Sequence, residues 1–140
     1  MAEHTSATLT WQGEHRFEAR SGSGHAVITE SVGRAGHLAA SPMELLLVAI
    51  AGCTAIDVVS ILEKMREPAV ALQVEIVGTR AEKHPKYFTA IEITYRLRGH
   101  GLNREKVERA VELSHSTYCS AVASLRPDCA ITNTVEISET

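Results

Sequence analysis

The chain has 140 residues, enough for one domain with a real core. It is 44% hydrophobic and 22% charged, ordinary values for a soluble globular protein, with no tandem repeat or low-complexity tract. A net charge of −3 without a Lys/Arg run argues against nucleic-acid binding, and no basic-then-apolar start points to a secretory leader.

Ala7 to Trp11 and His15 to Arg20 read as short strands around a Gln12-Gly13 turn. Ser21-Gly22-Ser23-Gly24 is a second turn and His25 to Glu30 a third strand, together a three-stranded antiparallel meander. Val32 to Ala40 is a glycine-containing loop that carries Arg34 towards a long helix. Ser41 suits the N-cap of that helix, Pro42 its first position, and Glu44 its first turn, where a carboxylate complements the helix dipole. The helix is expected over about Pro42 to Met65, with Pro68 just beyond its end. Leu45 to Ala51 is apolar throughout, so this helix has no solvent side there and belongs in a core. The uncharged stretch Leu45 to Ile56 is too short to span a bilayer.

Val70 to Ala81 and Lys86 to Arg98 read as a long hairpin. In its second strand Tyr87, Thr89, Ile91, Ile93, Tyr95 and Leu97 share one face, opposite Phe88, Ala90 and Glu92. Asn103 caps a second helix with Val107, Ala110 and Leu113 at helical spacing; Ser114 to Thr117 is a weak stretch that breaks or kinks it. A short helix over Thr117 to Leu125 and a last strand over Ala130 to Ser138 complete the order β-β-β-α-β-β-α-β. This is an α+β fold, helices packed on antiparallel sheets.

Three cysteines in a chain expected in the cytosol are not read as structural disulfides. A thiol in an apolar helix is most simply a small buried hydrophobe, and Cys53 has that setting. Cys119 lies in the polar run Ser116-Thr117-Tyr118-Cys119-Ser120, on the second helical region. If the two meet, one thiol can attack an oxidant and the other resolve the sulfenic acid as a disulfide. Asp57, one turn after Cys53, disfavours a thiolate, so either a cation from Arg34, Arg16 or Arg20 offsets it or Asp57 points elsewhere. His115 and Cys119 have i,i+4 spacing, but no CxxC or HExxH accompanies them, and no metal site is expected. No Gly-rich phosphate loop or GxSxG occurs, and Cys129, beside a Pro-Asp turn, reads as incidental.

The runs Ser41-Pro42-Met43-Glu44-Leu45-Leu46-Leu47, Ala51-Gly52-Cys53-Thr54-Ala55-Ile56-Asp57 and Leu113-Ser114-His115-Ser116-Thr117-Tyr118-Cys119-Ser120 resemble the OsmC/Ohr family of thiol peroxidases. Asp57-Val58-Val59 and Lys64 are similar to its YhfA-like branch. The resemblance spans nearly the whole chain. It implies a single OsmC-like domain over 1–140, with antiparallel sheets wrapped around central helices in an intimate homodimer and sites at the interface. By motif it makes Cys53 the peroxidatic thiol, Cys119 the resolving thiol and Glu44 the glutamate that holds a thiolate-stabilising arginine. Arg34 is the nearest arginine by loop position. The implied activity is reduction of organic hydroperoxides in oxidative stress defence, recharged by an external dithiol. No cofactor, nucleic acid or membrane takes part, and the location is cytoplasmic. The alternative is a non-catalytic dimeric stress or small-molecule-binding protein.

Overall fold

Turn residues cut the first part of the chain into three strands. Gly13 at φ +100 and Glu14 at φ 50 reverse it between β1 (Ala7–Trp11) and β2 (Arg16–Ser21). The Ser21-to-Gly24 turn leads into β3 (Ala26–Glu30), and the three form an antiparallel sheet in the order β1-β2-β3. The computed structural model describes residues 3–31, 38–67 and 69–139. It separates into two units, Met1–Leu46 and Leu47–Thr140. The loop expected at Val32 to Ala40 is described only from Leu38 onward; Arg34 and Pro68 lie outside the described residues. From Leu38 the chain runs back beside β3, where Ala40 bridges Thr29 in parallel. The Glu30 carboxylate accepts backbone N–H groups from Leu38 and Ala39 and pairs with Arg16 at 3.0 Å.

Helix α1 (Pro42–Lys64) begins with a reciprocal capping box. Ser41 Oγ accepts from Glu44 N at 3.2 Å, and the Glu44 carboxylate accepts from Ser41 N at 2.9 Å. Its buried residues, Ile50, Thr54, Val58 and Leu62, follow i,i+4 spacing and form a single stripe. The all-round burial expected of this helix is not reached within one chain, since Val48 is 63% and Ile56 71% exposed. Within the unit Leu47–Thr140 there is a single three-stranded sheet, and one sheet covers one side of a helix. Among the described residues α1 is also the one helix with the length and hydropathy of a bilayer span, because it continues beyond Ile56. Core helices of soluble proteins pass that test too, so it is weak evidence for a membrane.

The second sheet has the order β4 (Ala71–Arg80), β5 (Phe88–Arg98), β6 (Ala130–Ser138). β4 and β5 pair antiparallel, as the alternation predicts. β6 departs from the expected antiparallel pattern and joins β5 in parallel, Ala90 opposite Ala130 through Arg98 opposite Ser138. The helical segment between them returns the chain to the end where β5 began, which is the crossover a parallel pair requires. Ile91, Ile93, Tyr95 and Leu97 are buried on one face, as expected. Phe88 is buried as well, although strict alternation puts it opposite them. The register shifts at Thr79/Arg80, so that Phe88 faces Arg80 while Ala90 faces Thr79. Thr89 is thus the extra residue of a bulge, and the bulge turns Phe88 inward. Its ring lies over Gly78, where a Cβ would stand 2.5 Å from it.

Asn103 caps α2 (Arg104–Leu113), its side chain accepting from Lys106 N at 3.1 Å. Val107, Ala110 and Val111 are buried, while Leu113, expected among them, is half-buried. The weak stretch after α2 is a π-helical turn, Ser114–Tyr118, closed by Cys119 N donating to Ser114 O at 2.8 Å. Cys119 then leaves the helix in an extended conformation and caps α3 (Ser120–Ala123), which is shorter than the expected Thr117–Leu125.

Candidate dithiol site

Cys53 and Asp57 are one turn apart on α1 and therefore share a face. The π turn brings Cys119 opposite them. The two sulfurs and a carboxylate oxygen of Asp57 all lie within 4.8 Å of one another. Ser114, fully buried at the start of the π turn, donates its hydroxyl to Asp57 Oδ2 at 2.9 Å. Cys119 Sγ accepts from Val122 N at 3.4 Å, as the cap of α3. The same π turn thus places the Asp57 donor at its first residue and the second thiol just past its last.

The two thiols differ in setting. Cys119 is 3% exposed, and burial pushes its pKa from 9.0 up to about 11, with the neighbouring Cys53 adding to the rise. Cys53 is half-buried. Beneath them Tyr95 is fully buried on the inward face of β5. Burial raises its pKa, and charge at Cys119 and Asp57 raises it further. The Tyr95 hydroxyl sits beside Thr54 without a hydrogen bond of good geometry.

The other residues singled out by sequence have different surroundings. Glu44 serves the capping box of α1. Arg34 is outside the described residues. Arg16 is paired with Glu30, and Arg20 with Glu18 and the Gly24 carbonyl, all in the N-terminal unit. Cys129 is half-buried near the start of β6 and outside the sulfur cluster. His115 is outside it too, and its Nδ1 is buried without a partner. The i,i+4 pair that contributes to the cluster is Cys53/Asp57 rather than His115/Cys119, because Cys119 has already left the helix.

Sequence reasoning missed Ser114 and Tyr95. Ser114 had a signal, a small polar residue continuing the buried face of α2. Tyr95 had one as well, a phenol set between the aliphatic residues Ile93 and Leu97 of the inward face of β5.

An open groove of about 940 Å³ runs between α1 and β4, lined by Val48, Gly52, Ala55 and Val59 of the helix and Val74 and Ile76 of the strand. At about 100° per residue, those four helix residues stand roughly 100° or more around α1 from Cys53. Ile56 and Ser60, which also line it, stand only about 60° and 20° from Cys53, so the groove reaches round to the thiol-bearing face. Val48 and Ile56 line the groove, and Ile50 is buried in the core.

The family model described as OsmC-like protein matches residues 34–134. The chain belongs to the OsmC-like family. Protein YhfA of Escherichia coli (strain K12) is 39% identical over 131 residues, 94% of this chain and 96% of that protein. The crystal structure of a hypothetical protein from Aquifex aeolicus VF5 superposes with a TM-score of 0.87 at 32% identity, covering 99% of both chains. The organic hydroperoxide resistance protein OhrB of Bacillus subtilis shares the fold, with a TM-score of 0.68 at 14% identity over 97% of this chain and 98% of its own. For this OsmC-like chain, the Cys53 and Cys119 motifs expected from sequence both fall inside the matched region.

Proposed function

We propose that this OsmC-like chain is a thiol-dependent peroxidase that reduces organic hydroperoxides through a Cys53/Cys119 dithiol–disulfide cycle. The observation that carries the reading is the approach of the two sulfurs to within 4.8 Å from separate helical segments. Cys53, the more accessible thiol, attacks the distal peroxide oxygen as thiolate. The O–O bond breaks, the alcohol leaves after taking a proton, and Cys53 becomes a sulfenic acid. Cys119 then attacks the Cys53 sulfur, water leaves, and a disulfide remains. An external dithiol takes up the disulfide and restores both thiols. The raised pKa of Cys119 suits the second role, since it stays protonated near neutrality while the first step proceeds.

In this reading residues 1–140 form one OsmC-like domain that works as a cytoplasmic homodimer in oxidative stress defence. Exposed Val48 and Ile56 support the dimer, because a second copy of α1 is an apolar ridge of the kind the groove leaves room for. Arg34, with Glu44 orienting it, is the proposed thiolate-stabilising cation. The preference for organic over hydrogen peroxide rests on kinship with proteins named for organic hydroperoxide resistance. A second reading, a non-catalytic dimeric small-molecule-binding or stress protein, is favoured by the apolar lining of the groove.

The deciding experiment is consumption of an alkyl hydroperoxide by the reduced protein with a dithiol donor. Wild type is expected to turn over, Cys53→Ser to be inactive, and Cys119→Ser to stop after the first oxidation. Turnover by Cys53→Ser as fast as wild type, or none by wild type, overturns the dithiol cycle. The latter result leaves the binding reading in place.

A further inference from the structure

We propose that Cys53, Asp57 and Cys119 also form a zinc site, occupied when both thiols are reduced. Three donor atoms of two kinds, two sulfurs and one carboxylate oxygen, converge within 4.8 Å from two separate helical segments. Tetrahedral zinc with Zn–S bonds near 2.3 Å and Zn–O bonds near 2.0–2.2 Å sets its donors about 3.5–3.8 Å apart. Closing the triad on a metal thus needs movements of about 1 Å or less. Cys53 and Asp57 ride on one turn of a continuous helix, so their spacing is already held; the adjustment falls on Cys119, at the junction of the π turn and α3.

The groups around the triad have the arrangement that orients metal ligands. Ser114 Oγ holds Asp57 Oδ2, and Val122 N–H points at Cys119 Sγ. The Tyr95 hydroxyl, buried and without a well-formed hydrogen bond, is close enough to feel charge at both Cys119 and Asp57. Such an orphan is unusual in a core and fits a site that takes a polar occupant, such as a metal-bound water. The charges argue the same way. A carboxylate against two thiols is a poor setting for a bare thiolate, whereas a divalent cation neutralises two thiolates and makes the carboxylate an asset.

The donor set selects the metal. Two thiolates favour zinc or copper(I), and the hard carboxylate oxygen tips the choice to zinc. Three protein ligands leave a fourth position open. Binding breaks two S–H bonds and forms two Zn–S bonds; both protons go to solvent and no electron moves. The zinc-bound and disulfide states are mutually exclusive, because both use the same two sulfurs.

The test is a metal titration of the reduced, metal-free protein, with Zn²⁺ competing against a chromophoric chelator and Co²⁺ as a spectroscopic probe. No peroxide is present, so the outcome is independent of the peroxidase reading. Expected are one metal per chain, thiolate-to-cobalt charge transfer in the near ultraviolet and tetrahedral d–d bands. Cys53→Ser and Cys119→Ser are expected to weaken binding by at least about 100-fold, more than losing a group that only orients a ligand. Ser114→Ala, which removes such a group, is expected to weaken it about 10-fold, and Cys129→Ser to leave it unchanged. Circular dichroism checks that each variant is folded, and the cobalt spectrum of wild type needs no variant. A folded, fully reduced wild type that takes up no zinc overturns the site. So does a six-coordinate cobalt spectrum without charge transfer, or binding that survives Cys53→Ser but not Cys129→Ser.

Discussion

Ser114 Oγ donates a 2.9 Å hydrogen bond to Asp57 Oδ2, joining residues 57 apart in sequence. This contact ties the π turn that leads to Cys119 to the helix face that carries Cys53. Ser114 is fully buried, so its loss leaves a part-buried carboxylate short of a donor. Ser114→Ala is expected to cost about 1.5–3 kcal/mol in urea unfolding, the range for a hydrogen bond to a charged group. It is also expected to slow closure of the Cys53–Cys119 disulfide in stopped-flow thiol assays. Unchanged stability and closure would show that the contact orients nothing.

Gly78 provides the space in which Phe88 is seated. A Cβ there would stand 2.5 and 2.7 Å from the Phe88 ring and 3.1 Å from Leu47. A buried aromatic ring has little freedom to retreat, so Gly78→Ala is expected to destabilise the chain by about 1–3 kcal/mol. Gly52→Ala, with nothing within 4 Å of the new methyl, is the matched control and should not destabilise α1. Denaturation midpoints of the two variants check this directly.

The raised pKa of Cys119 gives stability a defined pH dependence. Below its ordinary value of 9.0 the thiol is protonated in both folded and unfolded chains, and its contribution is fully present. Between 9.0 and about 11 the folded chain binds more protons than the unfolded one, so stability falls as pH rises through that window. Tyr95 is shifted in the same direction and adds to the fall at its upper end. Cys119→Ala is expected to flatten the loss between pH 9 and 10, measured as the change in urea midpoint across a pH series. A wild-type midpoint that stays level across that interval would count against this reading of burial.

The groove face of α1 gives a test of assembly. Val48 is 63% exposed in one chain. On a free surface Val48→Asp is worth within about 0.5 kcal/mol and leaves sedimentation unchanged. In the proposed homodimer it buries a charge in an apolar interface. Sedimentation velocity is therefore expected to show a dimer for wild type and monomer, or much weaker association, for Val48→Asp. A dilute wild type that sediments as a stable monomer would end the dimer proposal.

Local chemistry made much of this protein legible without coordinates. Ser41-Pro42 announced the start of α1, Asn103 the start of α2, and alternation the buried run Ile91, Ile93, Tyr95 and Leu97, because capping and period-two burial depend on neighbours in sequence. The Ser41/Glu44 capping box was there to be read as Ser-x-x-Glu. Motifs also picked out Cys53 and Cys119 as the thiols to watch. Other features needed the tertiary structure, because each depends on groups far apart in the chain. Phe88 turns inward because a bulge forms against β4, and Gly78 of that strand leaves the space for its ring. β6 pairs in parallel because the helical segment carries it back to the start of β5. The π turn decides that Cys119, and not His115, meets the Cys53/Asp57 face, since one wider turn changes which side chains project towards α1. Whether two thiols and a carboxylate share one site is a question of three-dimensional distance, and sequence spacing carries no measure of it.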